Sequence, residues 1–150
     1  MTAKELMTTK VLAIMHDDYA RHAVEIMAEH GISGMPVVDE AQNLVGIVSE
    51  RDLLLIDEER PPVVKSALYG LYISPDRLVE RDAERRGLRI RDVMTRSVIT
   101  FGPDDKVSEV ARTMHDRNIN RVPIVQEGKL VGIISRHDII RALAEGQTLG

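Results

Sequence analysis

The stretch Gly46-Ile47-Val48-Ser49-Glu50-Arg51-Asp52-Leu53 returns as Gly132-Ile133-Ile134-Ser135-Arg136-His137-Asp138-Ile139. An apolar strand runs into a serine, and a carboxylate follows three residues later. That pattern reads as a strand leading into a helix, with Ser as N-cap and Asp placed to close a capping box. Its return in the second half of the chain marks a tandem repeat.

The likeness extends outward from this stretch. Ile32-Ser33-Gly34-Met35-Pro36-Val37-Val38 matches Ile119-Asn120-Arg121-Val122-Pro123-Ile124-Val125, and Leu44-Val45 matches Leu130-Val131. Further upstream, Asp17-Asp18 matches Asp104-Asp105, Val11-Leu12 matches Val98-Ile99, and Leu6-Met7-Thr8 matches Val93-Met94-Thr95. The polar turn of the first copy is one residue longer, 40–43 against 127–129, a change that a surface loop tolerates.

Each copy predicts the order strand, helix, strand, strand, helix. The first strand is expected at 11–14 and 98–101. The helix after it takes an aspartate as N-cap, Asp17 or Asp18 and Asp104 or Asp105. Ala20, Ala23, Val24 and Met27, and Val107, Val110, Ala111 and Met114, fall at helical spacing. Gly31 and Asn118 are the expected C-caps. Paired strands follow at 35–38 with 44–48, and at 122–125 with 130–134. The fold class is α/β (α+β), two tandem β-α-β-β-α repeats packed into one globule. The expected division is a first domain at 1–56, a charged linker at 57–88 and a second domain at 89–150. Within the linker, Pro61-Pro62 breaks the preceding helix, and Ser74-Pro75 starts a surface helix expected over 75–86.

Composition narrows the function classes. The chain has 150 residues, of which 43% are hydrophobic, enough for a core. It holds no apolar run of about 18 residues, so no membrane-spanning helix is expected. The amino end shows no charged-then-apolar export pattern. With cysteine absent as well, the expected location is the cytoplasm. A net charge of -4, one Phe and no Trp disfavour nucleic-acid binding. His16, His22, His30, His115 and His137 show no paired ligand spacing, so no metal is expected. No nucleophile has a base and an orienting partner placed by motif, so no catalytic residues and no enzyme activity are expected.

The coupled pair of motifs, present twice and in order, resembles the signatures of CBS domains over nearly the whole chain outside the linker. The resemblance implies a Bateman module that binds AMP, ADP, ATP, S-adenosylmethionine, NAD or a related adenosine compound between its repeats. It implies a ligand and no required cofactor. Carried over residue by residue, it implies a site A of Ile47, Ser49 and Asp52 with Ile99, Thr100, Ile119, Asn120, Arg121 and Val122. Site B combines Ile133, Ser135, His137 and Asp138 with Leu12, Ala13, Ile32, Ser33, Gly34 and Met35.

The side-chain chemistry agrees with that assignment. An ionised Asp accepts from both hydroxyls of a ribose, and such charge-assisted bonds are the stronger kind. Ser at a helix start, with backbone N–H groups beside it, favours an anion. Ile, Val and Met side chains sandwich a purine. Arg121 forks onto a phosphate, whereas the first repeat has Gly34 at that position. Site A is therefore expected to be the better phosphate binder.

Against this stands a simpler reading, in which Ser49 to Asp52 and Ser135 to Asp138 only cap helices. Its functional counterpart is a structural dimerisation module with empty clefts. The run Leu53-Leu54-Leu55-Ile56 is apolar around most of a short helix, which one domain covers on one side only. A homodimer is therefore expected, with an unidentified protein partner to receive any signal.

Overall fold

A computed structural model describes residues 1–54 and 87–150. The helix expected over 75–86, most of the linker, and Leu55 and Ile56 lie outside the described residues. In chain order the elements are α1 (Ala3–Leu6), β1 (Ile14–Met15), α2 (Ala20–His30), β2 (Gly34–Val38), β3 (Leu44–Ser49), α3 (Glu50–Leu53), α4 (Ile90–Val93), α5 (Val107–Arg117), β4 (Arg121–Gln126), β5 (Lys129–Ser135) and α6 (Arg136–Ala144). They form two compact units. The first-repeat unit comprises 14–37 and the described residues of 45–96, and the second-repeat unit comprises 1–13, 38–44 and 97–150.

In the first-repeat unit the strands hydrogen-bond in the order β1-β2-β3. The apolar stripe of α2, Ala20, Ala23 and Met27, is buried in one core with Met35, Val37, Val48, Leu53 and Ile90. Burying one side chain of this size contributes roughly 1.5–3 kcal/mol. Helix α2 stops at Gly31, whose φ of 62° is left-handed and whose N–H donates to Met27 O, a conformation that glycine adopts without a Cβ penalty.

In the second-repeat unit β4 and β5 pair antiparallel from Arg121 opposite Ser135 to Gln126 opposite Lys129, with an irregularity between Ile124 and Val125. Glu127 and Gly128 join them with φ of 52° and 82°, the two-positive-φ turn that suits the twist of a tight hairpin. Val107, Val110 and Met114 of α5 are buried with Ala3, Val122, Ile124, Ile134 and Ile139. The longer turn of the first repeat is closed differently. Asp39 Oδ1 accepts from the Ala41 and Asn43 N–H groups, each at 2.9 Å.

The Met-Thr segments pack away from the repeats that follow them. Ahead of the first repeat, Ala3 and Lys4 N–H donate to Asp105 and Pro103 carbonyls, and Thr8 exchanges backbone bonds with Ile133, each 3.0 Å. Ahead of the second repeat, Ile90 and Arg91 N–H donate to Asp18 and His16 carbonyls, and Thr95 exchanges backbone bonds with Ile47 at 2.8 and 2.9 Å. Ala3 and Ile90 are completely buried.

Two local expectations are corrected. The first strands shrink to Ile14–Met15 and, in the second copy, to an isolated bridge of Phe101 with Ile124. Of residues 11–14 only Ile14 is buried, and Leu12 and Ile99 stand exposed, so the apolar run reaches a core only at its end. The N-caps of α2 and α5 are Tyr19 and Lys106, neither with a side-chain cap bond. Asp18 instead accepts from Tyr19 N–H and pairs with His22 Nδ1, both at 2.7 Å. Asp105 closes the preceding turn by accepting from Gly102 N–H at 2.6 Å.

Candidate functional site

The two Ser-x-x-Asp segments form one candidate half-site in each unit. In the first-repeat unit β3 ends at Ser49, and α3 begins at the next residue. Asp52 Oδ2 accepts from Ser49 N–H at 2.9 Å and from Ser49 Oγ at 3.2 Å, while Ser49 Oγ accepts from Asp52 N–H at 3.4 Å. This is a reciprocal capping box. Asp52 Oδ1 takes the Thr95 hydroxyl at 3.3 Å.

The second-repeat unit repeats the box. Asp138 Oδ2 accepts from Ser135 N–H at 2.8 Å, and Ser135 Oγ accepts from Asp138 N–H at 3.2 Å. Here Oδ1 differs, because it takes Arg141 Nη2 at 2.9 Å. Asp138 is 8% exposed, deeper than Asp52. The capping reading is thus realised at both positions, and it occupies mainly one of the two carboxylate oxygens.

The backbone around each serine is also committed. Glu50 N–H donates to Ser33 O, and Arg136 N–H donates to Asn120 O, each at 2.9 Å. These bonds tie the pre-proline segment to the helix start in the same unit, and they use first-turn amides that an anion would otherwise meet. Arg136 further donates to Ile119 O at 2.9 Å and to Asn118 Oδ1 at 3.1 Å, which satisfies carbonyl groups near the end of α5.

The glycine of the motif has a steric reason. A Cβ on Gly46 would lie 2.8 Å from Met94 Sδ and 2.9 Å from the Thr95 carbonyl oxygen, and a Cβ on Gly132 would lie 2.8 Å from Met7 Cγ. Motif glycine and Met-Thr segment are therefore two sides of one close approach.

Of the expected site A, Ile47, Ser49 and Asp52 lie in the first-repeat unit, and Ile99, Thr100, Ile119, Asn120, Arg121 and Val122 in the second. Of site B, Ile32, Ser33, Gly34 and Met35 lie in the first-repeat unit, and Leu12, Ala13, Ile133, Ser135, His137 and Asp138 in the second. Met35 and Val122 are fully buried core side chains, whereas Thr100, Asn120 and His137 are exposed. Within the second-repeat unit Arg121 sits directly across the ladder from Ser135. Sequence reading missed Thr95 and Arg141. The duplicated Met-Thr marked the first, and the absence of a basic residue at Leu55, the counterpart of Arg141, marked the second.

The CBS domain family matches residues 3–59 and 90–145. The chain belongs to the CBS-domain family. A CBS-pair protein, CBSX2, solved in complex with AMP, is 26% identical with a TM-score of 0.74, covering 96% of each chain. The CBS domain pair of protein MJ0100, solved in complex with 5-methylthioadenosine and S-adenosyl-L-methionine, is 26% identical with a TM-score of 0.70, covering 98% of each. An uncharacterised protein of Methanocaldococcus jannaschii, MJ1426, is 31% identical over 95% of this chain and 91% of its own length. Other relatives are longer. A 29% identical inosine-5'-monophosphate dehydrogenase from the same organism matches 93% of this chain, which spans only 23% of that protein's length. Among the described residues no helix is long and apolar enough to cross a membrane.

Proposed function

We propose that this chain is a regulatory module, not an enzyme, that binds an adenosine-type nucleotide and signals its presence to a partner protein. The observation that carries the reading is the division of labour in each Ser-x-x-Asp carboxylate. Oδ2 is held by the capping box, which fixes the side chain, and among the described residues Oδ1 of Asp52 meets a hydroxyl group. A ribose diol offers that oxygen the same kind of partner. The pre-proline segments supply apolar walls in the pairing that the resemblance implies, with Arg121 for a phosphate. AMP, 5-methylthioadenosine and S-adenosylmethionine on the related CBS pairs support the ligand class. A thermal-shift screen with AMP, ADP, ATP, S-adenosylmethionine and NAD tests the reading. At about 100 times Kd a ligand stabilises by about 2.7 kcal/mol, roughly 5–10 °C for a chain of this size. No shift above about 1 °C with any of them at millimolar concentration rejects it.

The chain also works as a homodimer in this reading, in the cytoplasm, for which the absence of cysteine is the support. Leu54 is 76% exposed and Ile140 is 61% exposed. Each borders a groove on its own unit, one with Val24, Met27, Leu53 and Glu50, the other with Ala111, Met114, Ile139 and Arg136. The acidic member of one and the basic member of the other make a second copy of this chain a complementary occupant.

A further inference from the structure

The two half-sites share a capping box and differ most in the partner of Oδ1. Asp52 Oδ1 faces the neutral Thr95 hydroxyl at 3.3 Å, and Asp138 Oδ1 faces the Arg141 guanidinium at 2.9 Å. Arg141 lies one helical turn on, at the i+3 position whose side chain meets that of residue i. The Arg141 side chain is 57% exposed, and that of Asp138 is 12% exposed. The carboxylate is thus nearly covered, while the cation bonded to its Oδ1 reaches solvent. A guanidinium bond to a carboxylate is charge-assisted and stronger than a hydroxyl bond to the same oxygen.

We propose that Arg141 is a built-in competitor for the ribose-accepting oxygen of Asp138 and so sets the order in which the half-sites fill. The inference rests on the adenosine-binding reading and adds the regulation of one half-site. A neutral nucleoside approaching Asp138 competes with the guanidinium for the lone pairs of Oδ1, whereas at Asp52 a hydroxyl bond rotates aside. Because the Arg141 side chain reaches solvent, its hold is that of a partly screened pair. That makes the competition moderate, about two- to five-fold in affinity, enough to separate the half-sites without closing either. In sequence the first repeat has Leu55 at the position of Arg141, so the competitor is written into one repeat only.

Adenosine, which carries no phosphate and no net charge, is the probe. The amide signals of Ser49 and Ser135, each bonded to its own Asp carboxylate, follow the two half-sites separately in one NMR titration. In the wild-type chain Ser49 saturates at lower adenosine than Ser135. In Arg141→Gln, which keeps a helix-compatible side chain without the charge, the Ser135 midpoint falls by about two- to five-fold and the Ser49 midpoint stays put. Raising salt to about 0.5 M screens the pair, so it tightens the Ser135 midpoint in the wild type and leaves Arg141→Gln unchanged. If Arg141 only stabilised the helix, Arg141→Gln would lower the melting temperature and move neither midpoint. If Ser49 titrates but the Ser135 midpoint is unchanged or weaker in Arg141→Gln, the competitor role is overturned and the binding reading stands. If neither amide responds to adenosine in either protein, the competitor role is overturned, and if AMP also leaves both amides unmoved the binding reading falls with it.

Discussion

Replacing Asp52 by alanine removes two things at once, the acceptor for Ser49 N–H and the acceptor proposed for ribose. The first is worth about 1 kcal/mol as a lost cap and the second about 1.5–3 kcal/mol as a bond to a charged group. Asparagine separates them, because its side-chain oxygen still accepts from Ser49 N–H. Asp52→Asn should keep the melting temperature within a few degrees of wild type and still weaken adenosine and AMP alike. Arg121→Ala should behave differently in calorimetry, weakening AMP and leaving adenosine nearly unchanged. Equal losses for both ligands would make Arg121 structural. The glycines offer a sharper contrast. A Cβ at position 46 would meet the Thr95 backbone oxygen as well as Met94, whereas one at 132 meets only the Met7 side chain among its nearest atoms. Gly46→Ala should cost about 1–3 kcal/mol, the usual range for overpacking, and Gly132→Ala less, because Met7 can change rotamer. Urea midpoints of the two variants decide this, and a larger loss at 132 would contradict it.

At the scale of elements, the parts with strong local signals were legible in the sequence. Helices α2 and α5 carry an apolar stripe and stop at left-handed Gly31 and Asn118, and Ser49 and Ser135 cap where the repeat put them. The first strands were not legible, because an apolar run records what avoids water and not which sheet edge receives it. The aspartate N-caps failed for a related reason. A carboxylate near a helix start serves whichever N–H lies closest, which is Tyr19 for Asp18 and Gly102 for Asp105. Nor does a repeat say which copy a segment joins. Ala3, Leu6 and Met7 precede the first repeat and pack with the second. Deleting residues 1–8 should therefore speed hydrogen exchange in α5 and β5 while leaving α2 and β3 protected. Faster exchange confined to α2 and β3 would refute that packing.

At the scale of the whole molecule, the candidate site was half legible. Ser49, Asp52, Ser135 and Asp138 were found because they recur, and their capping geometry is as the spacing implies. A second difference between the half-sites, beside the untested one of Arg121 against Gly34, lies in the Oδ1 partners Thr95 and Arg141, whose contacts depend on packing. Apolar exposure at Leu54 and Ile140 predicts a dimer, since a second copy removes that surface from water. Light scattering at tens of micromolar should give twice the chain mass, and a monomer would contradict it. The central claim is that the two Asp carboxylates bind an adenosine ligand. Calorimetric titration of AMP into the wild-type chain and an Asp52→Asn/Asp138→Asn double variant tests it most directly. The account predicts binding to wild type that weakens by about ten-fold or more in the double variant, with the fold retained. No binding to wild type, or equal binding to both proteins, would contradict it.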